Sequence, residues 1–189
     1  MSTRPNQIII DTYDITAADQ LTAALKHLIS VRQGNFDDIV FVCIGTDRAT
    51  GDALGPLVGH LLNGRDVAVY GNLKKTVHAG NLMQNLEKIK SRHKNPLIVA
   101  IDACLGSGDK IGRLVVKEEG ITPAIAISGS LPEVGDISIA GVVNISAGAS
   151  GQCPLAVLSS TRLYIVMQMA EIVAAGIIAL TSSSSQNSK

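Results

Sequence analysis

Residues Ile39 to Leu62 read IVFVCIGTDRATGDALGPLVGHLL: an apolar run, a glycine-bounded loop, then apolar residues at helical spacing. A short continuous apolar run leading into a helix is the repeating unit of a parallel sheet with both faces covered. Leu54, Leu57, Val58 and Leu61 form the apolar stripe of a helix over about 53–62, with Pro56 in its tolerant first turn. The loop sits where many such proteins hold a phosphate, yet it lacks G-x-G-x-x-G, and five residues separate Gly45 from Gly51, which Asp52 follows in place of lysine. A carboxylate at a helix start repels the phosphate that the same N–H groups attract, which argues against a nucleotide site. Asp52 also fits an N-cap, a role worth about 1 kcal/mol that does not exclude chemistry.

Outward from this unit the alternation continues: a strand at 67–70, a helix over about 79–90 and a strand at 97–101. Upstream, Leu21, Ala24, Leu25 and Leu28 mark an amphipathic helix over 16–29, with Asp14 or Thr16 as its cap. Downstream, Ile111–Lys117, Pro123–Ile127 and Asp136–Ile145 are β-rich runs without an obvious helix between them, which predicts added strands or a hairpin. The last helix, about 156–180, is apolar well beyond one face, which predicts deep burial or a subunit interface, hence a homodimer as one alternative. The pattern predicts one α/β domain over 8–180, with three layers and a mostly parallel central sheet, between loose tails at 1–7 and 181–189.

Composition narrows the partners. The 189 residues carry 16 basic and 16 acidic side chains, so no electrostatic footprint for nucleic acid or an anionic membrane exists. Three cysteines without a C-x-x-C pair argue against a disulfide framework or a structural zinc site and fit a reducing cytoplasm. The N-terminus lacks the apolar core of a secretory signal, and Ile165–Leu180, shorter than a membrane span of about 20 residues, contains Gln168 and Glu171.

Asp102 ends the run PLIVAIDA, at the carboxyl edge of a buried strand, where ligands bind in doubly wound sheets. Asp52 opens the helix after a neighbouring strand at the same edge, so the two carboxylates can converge on one water. Like charges a few Å apart in a partly dry cleft share one proton at neutral pH. The ionised partner then activates water while the protonated one polarises a carbonyl. The same pair can instead ligate a divalent metal ion whose bound water is the nucleophile, and spacing does not separate the two mechanisms.

Supporting candidates surround that pair. His78 precedes a helix at the same edge and reads either as a third ligand or proton shuttle or as a loop histidine that helps cap the helix. Asp47 reads either as a brace for Asp52 or as ordinary turn chemistry. Cys104 raises a cysteine nucleophile with His78 as base, against a small cysteine packed under the loop. Glu133 and Asp136 flank a turn that either approaches the cleft or is solvated, and His27, His60 and His93 read as surface residues.

The strings FVCIGTDRATGDALGPLVG, LIVAIDACLG and SLPEVGDISIAGVVN, with the late TRLYIVMQMAEIVAAGI helix, resemble the sporulation protein YyaC family across most of residues 38–180. That family is similar to the germination protease of spores and, more remotely, to hydrogenase maturation endopeptidases, which implies an α/β fold with its site at the strand ends. The germination protease resembles an atypical aspartic protease. Its PDALGP loop looks like TGDALGP here, which carries one catalytic role to Asp52, and its apolar strand ending in DAL looks like IDACL, which carries the other to Asp102. The resemblance implies a sporulation-associated hydrolase acting on a protein or peptide in the cytoplasm of a spore former. The maturation endopeptidases imply nickel held by two carboxylates and a late histidine, but this chain has no histidine after His93. The remaining expectation is a non-catalytic assembly protein on the same fold.

Overall fold

The computed structural model describes residues 7–32, 36–123, 133–146 and 153–184. The elements are β1 (Gln7–Asp11), α1 (Ala17–Val31), β2 (Asp38–Cys43), α2 (Leu54–Leu61), β3 (Ala68–Tyr70), α3 (Leu82–Arg92), β4 (Pro96–Gly106), β5 (Arg113–Lys117), β6 (Ile137–Ile145), α4 (Pro154–Ser159) and α5 (Leu163–Ser184). Short 3-10 turns at Thr50–Ala53 and Gly108–Lys110 precede α2 and β5.

The six strands form one sheet in the order β1-β5-β6-β4-β2-β3. β3, β2, β4 and β6 are mutually parallel, whereas β5 runs antiparallel to both β6 and β1. Because strand side chains alternate between faces, the apolar runs divide into two cores. Phe41, Cys43, Val99, Ile101, Leu114, Val116, Ile137 and Ile139 join the core that includes α1, α2 and α5. Val40, Val42, Ile44 and Ala100 pack with Leu82, Leu86 and Ile89 of α3 on the opposite face. Three layers around a mostly parallel sheet agree with the sequence pattern.

Several boundaries differ from the sequence expectation. The strand expected at 97–101 runs to Gly106, because β6 pairs with it past the end of β2 and satisfies its backbone. The β-rich run 111–117 becomes antiparallel β5, 136–145 becomes parallel β6, and residues 124–127 of the third run lie outside the described residues. The helix expected at 156–180 is two helices, broken at Ser160–Arg162, where the Thr161 hydroxyl bonds the Val157 carbonyl. Gln7 belongs to β1 rather than to a tail. Thr181 and Ser182 extend α5 by bonding back to the carbonyls of Ile177 and Ile178, while residues 1–6 and 185–189 lie outside the described residues.

With 22 residues, α5 is long and apolar enough to cross a membrane, by length and composition alone. In the fold it packs along α1 and α2, with Val166, Met169, Ala170, Val173 and Ile177 buried and the Gln168 side chain donating to the Thr12 carbonyl. Ile165, Ile172 and Ile178, off its main stripe, also rest against this core. Most of its apolar surface is thus taken up within the chain, while Leu163 and Tyr164 at its start stand exposed.

Candidate active site

The loop after β2 folds back onto its own strand. The Thr46 N–H donates both to the Asp52 carbonyl (3.1 Å) and to Asp52 Oδ2 (2.9 Å). Two glycines permit this closure: at Gly45, with φ of 134°, an added Cβ would lie 2.0 Å from the Asp52 carbonyl oxygen, and at Gly55 one would lie 2.0 Å from that of Ile44. The N-cap reading of Asp52 therefore fails. A 3-10 turn separates the loop from α2, Ala53 takes the capping position, and the Asp52 carboxylate turns back to Thr46.

Asp102 lies inside β4, directly beyond the residues that pair with β2, and opposite Ala140 of β6. It is 4% exposed, with Oδ1 accepting from the Ala103 N–H at 2.8 Å. Burial, and then the charge of Asp52, hold its pKa well above the ordinary value, against the pull of that N–H. Asp52 is half-buried, and burial pushes its pKa up to about 6 against the opposing Thr46 hydrogen bond. Asp102 thus lies within the field of Asp52, whereas the Asp52 shift comes from burial. Each spends one oxygen on a backbone N–H, and the second oxygen accepts no hydrogen bond among the described residues.

The supporting candidates separate from the pair. His78 is exposed, and its Nδ1 accepts from the Gly80 N–H while its own N–H donates to Asn81 Oδ1, so it closes the turn before α3. Among the described residues no group of three or more His, Cys, Asp or Glu side chains is placed to hold a metal ion, so Asp52, Asp102 and His78 do not form the expected ligand set. The donors equally fail to fit the nickel site of the maturation endopeptidases. Asp47 is exposed, and the group that braces Asp52 is the Thr46 N–H. The Cys104 thiol is pushed up to about 11 by burial and by Asp102, partly offset by Lys117, which leaves it neutral and a poor nucleophile.

At the opposite edge of the sheet, Asp136 bonds the Arg32 guanidinium at 2.7 Å and the Ile98 N–H at 2.8 Å, so it anchors α1 and does not approach the cleft. Glu133 is exposed. His27 and His60 are exposed as expected, but His93 is half-buried between Asp38 (3.0 Å) and the Tyr70 hydroxyl (3.1 Å). A cavity of about 130 Å³ lined by Arg65, Asp66, Ile178, Thr181 and Ser182 lies away from the carboxylates.

Two positions that sequence reading passes over help build the site. Thr46 acts through its backbone, which no side-chain pattern reports. The Asn144 amide at the end of β6 donates to the Val157 carbonyl and the Thr161 hydroxyl, tying the sheet edge to the junction of α4 and α5.

The family described as "Protein of unknown function (DUF1256)" matches residues 9–176. The chain is 42% identical over 167 residues to "Uncharacterized protein YyaC" of Bacillus subtilis (strain 168), covering 87% of this chain and 78% of that protein. Among solved structures, the [NiFe] hydrogenase maturation protease HycI from Thermococcus kodakarensis KOD1 superposes with a TM-score of 0.55 at 20% identity, covering 84% of this chain and 99% of the other. That likeness is one of fold.

Proposed function

For a chain that belongs to the DUF1256 family and is related to YyaC of Bacillus subtilis, we propose a peptidase-like hydrolase whose catalytic groups are Asp52 and Asp102. The observation that carries this reading is the placement of two desolvated carboxylates, one on a loop and one on a strand: burial raises both, the charge of Asp52 raises Asp102 further, and each keeps one oxygen for a ligand.

Their unequal burial assigns the roles. Asp52, the more accessible, is ionised at neutral pH and takes a proton from water as its oxygen attacks the peptide carbonyl carbon. Asp102, buried and protonated, gives its proton to the carbonyl oxygen, producing a neutral tetrahedral diol. As the C–N bond breaks, Asp52 returns its proton to the leaving amine and a diol hydroxyl returns one to Asp102. Water and peptide become acid and amine, and both aspartates recover their starting states.

The substrate class is a protein or peptide, and the family resemblance supports a sporulation setting in the cytoplasm of a spore former. The test is hydrolysis of a mixed peptide library by the full chain and by Asp52→Asn and Asp102→Asn. Each substitution is expected to abolish cleavage with the fold retained. Full activity in either variant removes that aspartate from the mechanism.

A further inference from the structure

Beside Asp102 the sheet registers align a row of side chains across four strands. Asp102 faces Ala140, Ala140 faces Val115, and Val115 faces Ile9. Residues paired in register point to the same face, here the face that carries α3. The residues of α3 cover that face over β3, β2 and β4, while α1, α2 and α5 pack on the other side. Among the described residues no helix covers the face over β6, β5 and β1. Ala140 and Val115 are half-buried there and Ile9 is 44% exposed.

We infer that this row is a binding track for an extended apolar stretch of the polypeptide substrate, running from Asp102 over Ala140 and Val115 to Ile9. The inference rests on the peptidase reading for its direction, because the track begins at a carboxylate of the reacting pair. Four strands at about 4.8 Å spacing span about 14 Å, the length of about four extended residues. The flanking cations point to a neutral occupant: Lys117 is held by Glu119 at 2.8 Å, and Arg113 lies within the field of Asp109. What remains between them is aliphatic floor, which gains most from leucine-like or valine-like side chains. Continuity with the acidic pair selects a polypeptide in the act of being cut over a second copy of the chain.

The test uses the full chain carrying Asp52→Asn, so that bound peptide is not consumed. Its affinity is measured by fluorescence anisotropy for a fluorescein-labelled decapeptide of alternating leucine and serine, and for an all-serine peptide of equal length. The leucine peptide is expected to bind at least about tenfold more tightly, and adding Val115→Asp or Ile9→Asp is expected to weaken it about tenfold. Ile9 lies on an edge strand with its side chain outward, so Ile9→Asp decides the matter if Val115→Asp does not fold. Equal affinity for the two peptides, or unchanged binding in both folded variants, overturns the track. So does a dimer that Val115→Asp converts to monomer while peptide binding is unchanged, since the face then belongs to a second copy. Leucine-selective binding with no cleavage by the unsubstituted chain sinks the peptidase reading and leaves the track. Cleavage with the same kcat/KM for the leucine peptide after Ile9→Asp and Val115→Asp does the reverse.

Discussion

Replacing Asp52 by asparagine should stabilise the protein at neutral pH while abolishing its chemistry. The Thr46 N–H that now donates to Asp52 Oδ2 can donate to an amide oxygen in the same place, so the loop keeps its closure. The charge is what changes. Burial lifts the Asp52 pKa from the ordinary 3.8 to about 6, so between these values the folded protein binds a proton that the unfolded chain has released. Wild-type stability is therefore fullest below the unfolded value and falls as pH rises through about 6. Two pKa units correspond to about 3 kcal/mol, and solvent around this half-buried group reduces the effect to about 2 kcal/mol. The asparagine variant has no such slope. Its advantage should be near zero at pH 4 and level off above pH 7 at about 2 kcal/mol, or about 6 °C in Tm for a chain of this length. Thermal unfolding of both proteins from pH 4 to pH 8 measures the difference. Parallel curves, or a less stable variant at pH 7.5, would falsify the claim that Asp52 is a desolvated carboxylate.

The same proton accounting sets the kinetics: kcat/KM for peptide hydrolysis should rise as pH increases through about 6, when Asp52 becomes a base, and a flat profile between pH 5 and 7 would contradict that assignment. Gly55→Ala should cost more than about 3 kcal/mol or prevent folding, because the new methyl meets the Ile44 carbonyl of the central sheet, and denaturant titration reads the loss directly. Thiol labelling at pH 8 should proceed in the order Cys153, Cys104, Cys43: the first is exposed, the second is pushed up to about 11, and the third is buried and pushed up to about 12. Mass spectrometry of partially labelled protein checks that order, and early modification of Cys43 would mean that the sheet opens beside α2.

Replacing His93 by alanine should destabilise the protein by about 1–2 kcal/mol without changing peptide binding. It removes the bridge between Asp38 on β2 and Tyr70 on β3, while the acidic pair sits toward the other end of β4. Loss of cleavage in a folded variant would show that the bridge bears on the site.

The sequence by itself determined the layered α/β architecture, because apolar runs such as Ile39–Ile44 can satisfy both faces only inside a covered parallel sheet. It also singled out Asp52 and Asp102, since a strand end and a following loop share an edge whatever the details of packing. Side-chain periodicity carries no information on which strand lies beside which. Only the tertiary structure decided that β4 continues past Asp102, because β6 arrives from far along the chain to bond it. Backbone hydrogen bonding within each loop, which no side-chain pattern reports, turned the Asp52 carboxylate from the helix back to Thr46 and left His78 closing its own turn instead of joining the acids. The row from Asp102 to Ile9 depends on the tertiary structure in turn: it exists through registers between residues 38, 25 and 106 positions apart, which local sequence cannot encode.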